Sequence, residues 1–156
     1  MNGNWAITEI TFEDILPIWQ DDLWPNRSSP YETHSAMTWP YGSDTQYDMS
    51  IFDYPVTYWG FYHNDRLRGV NSGHATNDTE YRSRGLWVDP AWRGQGLGLA
   101  LLTQTINHAE SLGYVMCWSL PRVSALSVYV AAGFSEVGDV ISTETSDHNQ
   151  YVRRYL

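Results

Sequence analysis

A mixed α/β fold, with one mostly antiparallel sheet of about six to seven strands and about four flanking helices, is the fold class this sequence predicts. Three observations carry that reading. Two runs rich in β-branched and aromatic residues, Pro55 to His63 and Leu67 to Ala75, flank Asn64-Asp65-Arg66, a composition that makes a hairpin turn. The glycine-rich stretch Arg93 to Gly98 separates a strand pattern from a helical one. After that helix, Tyr114 to Leu120 is apolar on both faces and short, as a buried parallel strand is.

Taken in order, Trp5 to Ile10 alternates as a first strand. Thr11, followed by acidic Glu13 and Asp14, is an N-cap with charges matched to the helix dipole, and the helix it opens runs to about Trp24. Pro17 should kink or shorten that helix, and Trp24-Pro25 should end it. From Asn26 to Asp53 the chain is rich in Ser, Thr, Pro, Gly and Asp and reads as a long loop with one short helical piece. The hairpin follows, then a turn at Asn77-Asp78 and a third meander strand from Tyr81 to Val88 that stops at Asp89-Pro90. Leu97, Leu101, Leu102, Ile106 and Ala109 recur at helical spacing until Gly113, which suits a helix C′ position. Pro121 stops the strand Tyr114 to Leu120, Ser124 to Ala132 forms a second helix closed by Gly133, and Phe134 to Ser142 and Gln150 to Leu156 supply two last strands.

With 156 residues, 42% of them hydrophobic, the chain can build one core but hardly two, so residues 1–156 are expected to form one domain. No window reaches the roughly 18 consecutive apolar residues of a membrane span, and the opening Met1 to Trp5 lacks the basic and apolar regions of a signal peptide. A cytoplasmic protein with no membrane partner is expected. The lone Cys117 excludes an intrachain disulfide and multi-cysteine zinc patterns and reads as a buried thiol. His34, His63, His108 and His148 have no metal-ligand spacing, so no metal is expected. Eighteen acidic against nine basic residues, all nine arginine, give a net charge of −9. That field argues against nucleic acid and favours a cationic partner.

The turn Arg93-Gly94-Gln95-Gly96-Leu97-Gly98 follows a strand and opens a helix, where backbone N–H groups and the helix dipole converge on an anion. No Gly-Lys-Ser/Thr follows, so this is not a P-loop. Leu99 stands where the dinucleotide fingerprint needs its third glycine.

In these residues the chain resembles the GNAT N-acetyltransferase superfamily, whose acetyl-CoA motif runs Arg/Gln-x-x-Gly-x-Gly/Ala after a strand ending in Val-x-Pro. Arg93, Gly96 and Gly98 match in place, and Ala125, Tyr129, Gly133 and Phe134 reproduce the downstream Ala-x-x-x-Tyr-x-x-x-Gly-Phe spacing. The similarity covers about Leu67 to Val140. It implies a sheet that splays between the strand ending at Val88 and the strand Tyr114 to Leu120, with the pantetheine arm of acetyl-CoA in the gap. Backbone groups of Leu86, Trp87 and Val88 would hold the acetyl and pantetheine amides. Main-chain N–H groups from Arg93 through Gly94, Gln95, Gly96, Leu97, Gly98 and Leu99 would take the pyrophosphate.

The implied reaction is direct attack of a primary amine of a small molecule or peptide on the thioester, without a metal. Tyr129 matches the family tyrosine that protonates the leaving thiolate; its alternative role is a core tyrosine on one helix face. Glu80 is the candidate general base, with Asp78 and His74 as alternatives at neighbouring strand ends. The family commonly has Asn where this chain has Arg122, which could reach a coenzyme phosphate or be an exposed helix-terminal charge. Rival readings are transfer of a longer acyl chain, which the cleft width around Trp87 and Trp118 would decide, a noncatalytic acyl-CoA sensor and a nucleotide-binding domain. Relatives often pair through their last strands, and Gln150 to Leu156 could do so as a homodimer or be an ordinary edge strand, which looks the same in sequence.

Overall fold

The computed structural model describes residues 5–42, 46–143 and 146–156. The opening residues 1–4, on which the signal-peptide reading partly rests, and residues 43–45 of the long loop lie outside the described residues.

One seven-stranded sheet organises the chain. Its strands are β1 (Thr8–Ile10), β2 (Val56–His63), β3 (Arg66–Ala75), β4 (Glu80–Val88), β5 (Met116–Ser119), β6 (Ser135–Thr143) and β7 (Ser146–Tyr155), in the spatial order β1-β2-β3-β4-β5-β7-β6. Every pairing is antiparallel except β4 with β5, where the crossover places two strands side by side in one direction. Among the described residues three α-helices flank it, against the about four expected: α1 (Phe12–Ile18), α2 (Leu97–Ser111) and α3 (Leu126–Ala131). Among the described residues no helix is long and apolar enough to cross a membrane.

The local signals explain most boundaries. Thr11 and Asp14 form a reciprocal capping box, each side chain accepting the other's backbone N–H, and so start α1 where the acidic residues predict. Pro17 ends regular α-helix one residue later: lacking its N–H, it breaks the ladder, and Trp19–Leu23 continue as a wider π turn closed by Trp24 N–H on the Trp19 carbonyl. Asn64 and Asp65, with φ of 50° and 60°, make the two-residue turn between β2 and β3 that left-handed residues favour. The long loop carries one 3₁₀ turn, Met49–Asp53, capped by Asp48, and an isolated bridge between Met37 and Tyr47. β1 is shorter than its alternation suggests, while β7 begins four residues before the expected Gln150.

The sheet buries both faces. On one, α2 and α3 cover it: Leu102, Ile106 and Ala109 pack with Tyr81, Cys117, Tyr129, Phe134 and Val152, while Leu97 and Leu101 pack with Trp59. On the other, α1 and the long loop lay Ile15, Trp19 and Trp39 over Tyr58, Val70, Trp118 and Tyr151. The Cys117 thiol is fully buried, and that burial pushes its pKa up to about 12.

One expectation is corrected by the topology. The last strand is not an edge strand, because β7 is hydrogen-bonded to β5 on one side and β6 on the other. The edges are β1 and β6, so Gln150 to Leu156 has no free ladder to offer a second copy.

Candidate active site

β4 and β5 pair for only three rungs, Glu80 with Met116, Tyr81 with Cys117 and Arg82 with Trp118. Beyond Arg82 the two strands part. β5 ends at Ser119 just before Pro121, while β4 runs on to Val88 with β3 alone as its partner. The register against β3 slips between Val70–Trp87 and Ser72–Arg84, which inserts one extra residue on β4 at the bulge. Gly85 supplies it. Its φ of +81° suits glycine, and a Cβ there would lie 2.5 Å from the Trp19 ring, whose Nε1 donates to the Gly85 carbonyl at 3.1 Å. The bulge bends β4 away from β5 and leaves Leu86, Trp87 and Val88 along an edge with no strand beside it.

The glycine turn lies at the end of that edge. Asp89 caps a 3₁₀ turn at Pro90–Trp92 and is paired with Arg68 at 3.0 Å, and the Arg93 side chain donates from Nε to the Val88 carbonyl at 2.9 Å. These contacts anchor both ends of the approach to α2. Gly94 and Gly96 have φ of 77° and 90°, and a Cβ on Gly94 would meet nothing within 4 Å. The backbone N–H groups of Gly94 through Leu99 have no acceptor among the described residues, and the first helical bond of α2 is Ala100 N–H to Gly96 O. Six amides at a helix N-terminus are thus free to bind an anion. Arg93 differs from the rest, since its own N–H already points at the Pro90 carbonyl at 3.5 Å.

Where the strands part, the interior is polar rather than apolar. Tyr129 of α3 is 2% exposed, and its hydroxyl lies 3.4 Å from Ser83 Oγ on β4 and 3.3 Å from Ser119 Oγ on β5. Ser119 Oγ also sits 2.6 Å from the Ser83 carbonyl, which can only accept, so its single proton belongs there and a lone pair faces the phenol. Asn71 Nδ2 donates to Ser83 Oγ at 3.0 Å and to Thr105 Oγ1 at 2.9 Å. Burial pushes the Tyr129 pKa up, against its contacts with the two serine hydroxyls, so the phenol holds its proton through neutral pH. Asn71, Ser83, Thr105 and Ser119 were not singled out from sequence. The available signal was the small polar residue on an otherwise apolar strand face.

A family model for the acetyltransferase (GNAT) family matches residues 16–134, a span that contains the glycine turn, the splay and Tyr129. The chain belongs to the GNAT acetyltransferase family. This GNAT domain is therefore an acyltransferase of a family that draws its acetyl group from acetyl-CoA. Solved structures share its fold. A Lactobacillus plantarum protein described as an N-acetyltransferase superposes with a TM-score of 0.69 at 16% identity, covering 97% of this chain and 99% of that one. A phosphinothricin acetyltransferase from Sinorhizobium meliloti, solved with AcCoA, gives 0.64 at 16% identity over 99% and 89%. The ribosomal-protein-S18-alanine N-acetyltransferase from Escherichia coli gives 0.63 at 16% identity over 96% and 92%. No curated protein matches the sequence.

The GNAT fold does not bring the other candidate residues to Tyr129. Glu80 opens β4 at its closed end, three residues before Ser83 and so about 10 Å along the strand, and its carboxylate accepts from Asn77 Nδ2 at 2.6 Å within the preceding turn. Asp78 accepts from the Tyr54 hydroxyl at 3.0 Å on the surface. His74 is fully buried; Nε2 accepts the Ser35 N–H at 3.3 Å, which leaves Nδ1 to donate to the Ala75 carbonyl at 2.9 Å. Burial pushes its pKa down to about 3, so it is a neutral structural bridge between β3 and the long loop. Arg122 turns away from the glycine turn and donates from Nη2 to the Leu23 carbonyl at 2.7 Å, tying the segment after β5 to the end of the π turn. It borders an open groove of about 400 Å³ with Trp24 and Arg27.

Alternation along β4 also sets two arginines on the face opposite Tyr129. Arg82 lies over the Trp118 ring at 4.8 Å, and Arg84 lies over Trp19 at 4.9 Å and Trp24 at 5.3 Å while donating from Nη1 to the Glu32 carbonyl at 3.0 Å. Both are buried. The spacing Arg82-Ser83-Arg84 in a central strand was the legible signal for them, since a charged residue on a buried sheet face is rare.

Proposed function

We propose that this GNAT domain transfers an acetyl group from acetyl-CoA to a primary amine of a small molecule or peptide by direct attack on the thioester. The observation that carries this reading is the placement of the Tyr129 hydroxyl, between Ser83 and Ser119, at the point where β4 and β5 separate. The donor supplies an activated carbonyl carbon bound to sulfur. The free amides of Gly94 through Leu99 would hold its pyrophosphate, and the open edge from Leu86 to Val88 its pantetheine arm. Arg93 acts by fixing the turn through its bond to Val88.

In the reaction the amine nitrogen forms the new bond to the acetyl carbon and the carbon–sulfur pair leaves with sulfur. Tyr129 gives its proton to that thiolate, and the proton lost from the amine nitrogen restores the phenol through solvent. The amine must reach the site neutral. No carboxylate or imidazole belongs to the described network around Tyr129, so the acceptor sheds its first proton to water rather than to Glu80, Asp78 or His74. The names of two structural relatives, acting on phosphinothricin and on the alanine of a ribosomal protein, fit an amine acceptor.

The test is release of CoA thiol from acetyl-CoA across a panel of primary amines, with Gly96→Glu as the blank. A carboxylate at that φ of +90° strains the turn and repels the pyrophosphate. Amine-dependent thiol release by the native protein, lost together with acetyl-CoA binding in Gly96→Glu, is expected. Native coenzyme affinity in the variant would move the site elsewhere, and binding without thiol release would favour the sensor reading.

A further inference from the structure

We propose that the acceptor amine also carries a carboxylate, which Arg82 and Arg84 bind on the α1 side of β4. The proposal rests on the acetyl-transfer reading and names its acceptor as an amino acid, a small molecule with the two groups a few bonds apart.

The argument starts from an electrostatic imbalance. Arg82 and Arg84 are 8% and 4% exposed, and neither pairs with a carboxylate among the described residues. Arg84 has one carbonyl acceptor, at Glu32, and the Nε and Nη1 of Arg82 are buried with no acceptor at all. Removing a cation from water is strongly unfavourable unless other groups replace the lost hydration. The ring faces of Trp118, Trp19 and Trp24 offset only part of that. Burial, with Arg27 nearby, pushes the Arg82 pKa down to about 10; burial, with repulsion from Arg82 and Arg27, pushes that of Arg84 down to about 9, which still leaves both charged at neutral pH. Two adjacent buried cations with no carboxylate in ion-pair contact among the described residues are complementary to an anion, and the planar guanidinium fork matches a carboxylate.

Position decides whose anion it is. Arg82 precedes Val88 by six residues, roughly 20 Å along β4, so the coenzyme phosphates on the glycine turn lie out of reach. Arg82 instead forms the last rung with Trp118, and the next residue, Ser83, touches the Tyr129 hydroxyl from the opposite face. A ligand at the opening between the strands would have the two guanidinium groups on its α1 side. Its carboxylate can stay with the arginines while its amine enters the gap. The net charge of −9 attracts the ammonium end at long range, and the local pair of cations selects for the acid end.

The test compares amino acids with their carboxamides as acceptors, under saturating acetyl-CoA. The acids should show at least a tenfold higher kcat/KM, and Arg82→Gln should abolish that preference by raising KM for the acid. Calorimetric affinity for acetyl-CoA in the absence of acceptor checks that the variant is folded, and Arg82→Lys, which keeps the charge without the fork, should restore part of the preference. Equal turnover of acids and amides by the native protein, or a preference that survives Arg82→Gln, overturns the proposal. If no amine is acetylated, the transfer reading fails separately. The anion site is then judged by the rise in Tm of the native protein, expected with the amino acid, absent with its amide and lost in Arg82→Gln. An equal rise with inorganic phosphate would overturn the assignment to a carboxylate.

Discussion

The two halves of β4 share one strand and one antiparallel neighbour, yet they do opposite work. From Glu80 to Arg82 the strand is closed on both sides, by β3 and by β5, and its Tyr81 is packed into the core beneath α2. From Ser83 to Val88 the β5 side is open, Gly85 bulges, and the residue facing the interior is a serine in a hydroxyl network. The same backbone gives stability where its hydrogen bonds are satisfied and a binding edge where they are left free. Closure at one end fixes the distance between Ser83 and Ser119 at the other, so the site depends on the rungs that take no part in the chemistry.

Substitutions in each half test this division, and the largest effect is expected in the closed one. Tyr81→Ala removes a buried ring and should cost about 3–5 kcal/mol in urea unfolding. The folded fraction should still bind acetyl-CoA with near-native affinity, and a large loss of affinity would show that the halves are not separable. At the junction, Gly85→Ala forces a side chain into a left-handed conformation and against the Trp19 ring. A loss of about 3 kcal/mol with a changed tryptophan fluorescence spectrum is expected. In the open half, Tyr129→Phe should lower kcat on the order of a hundredfold while the calorimetric Kd for acetyl-CoA holds. An unchanged kcat removes the phenol from proton transfer.

The remaining effect is one of pH. His74 sits on β3 opposite Arg82, in the closed half, with its pKa pushed down to about 3 against an unfolded value near 6.5. Between these values the unfolded chain holds the extra proton, so the stability contribution is complete above pH 6.5. It falls as pH drops toward 3, by up to about 1.4 kcal/mol per unit. Urea midpoints measured from pH 7 to pH 4 should show this slope, and His74→Gln should flatten it.

Much of the sheet was legible because its signals are local. Thr11 with Asp14, the Asn64-Asp65 turn, and the helical spacing from Leu97 to Ala109 each act within a few residues, and each element formed where they stand. Glu80, Asp78 and His74 show where such reading stops. Strand-end position made them candidates for a base, but side-chain direction was settled by Asn77, Tyr54 and Ser35, partners that the pattern along a single strand does not specify. Arg122 behaves in the same way, drawn to the Leu23 carbonyl 99 residues away in sequence.

By itself the sequence determined the strand and helix pattern, the glycine turn and the family motif, because backbone propensity, periodicity and glycine's tolerance of positive φ are properties of short stretches. The tertiary structure alone decided the order β5-β7-β6, which takes the last strand away from the edge. It alone joined Tyr129 to Ser83 and Ser119, and laid the buried Arg82 and Arg84 behind them. Those features depend on which side chains meet across the sheet, and burial, hydrogen bonding and charge act through space rather than along the chain.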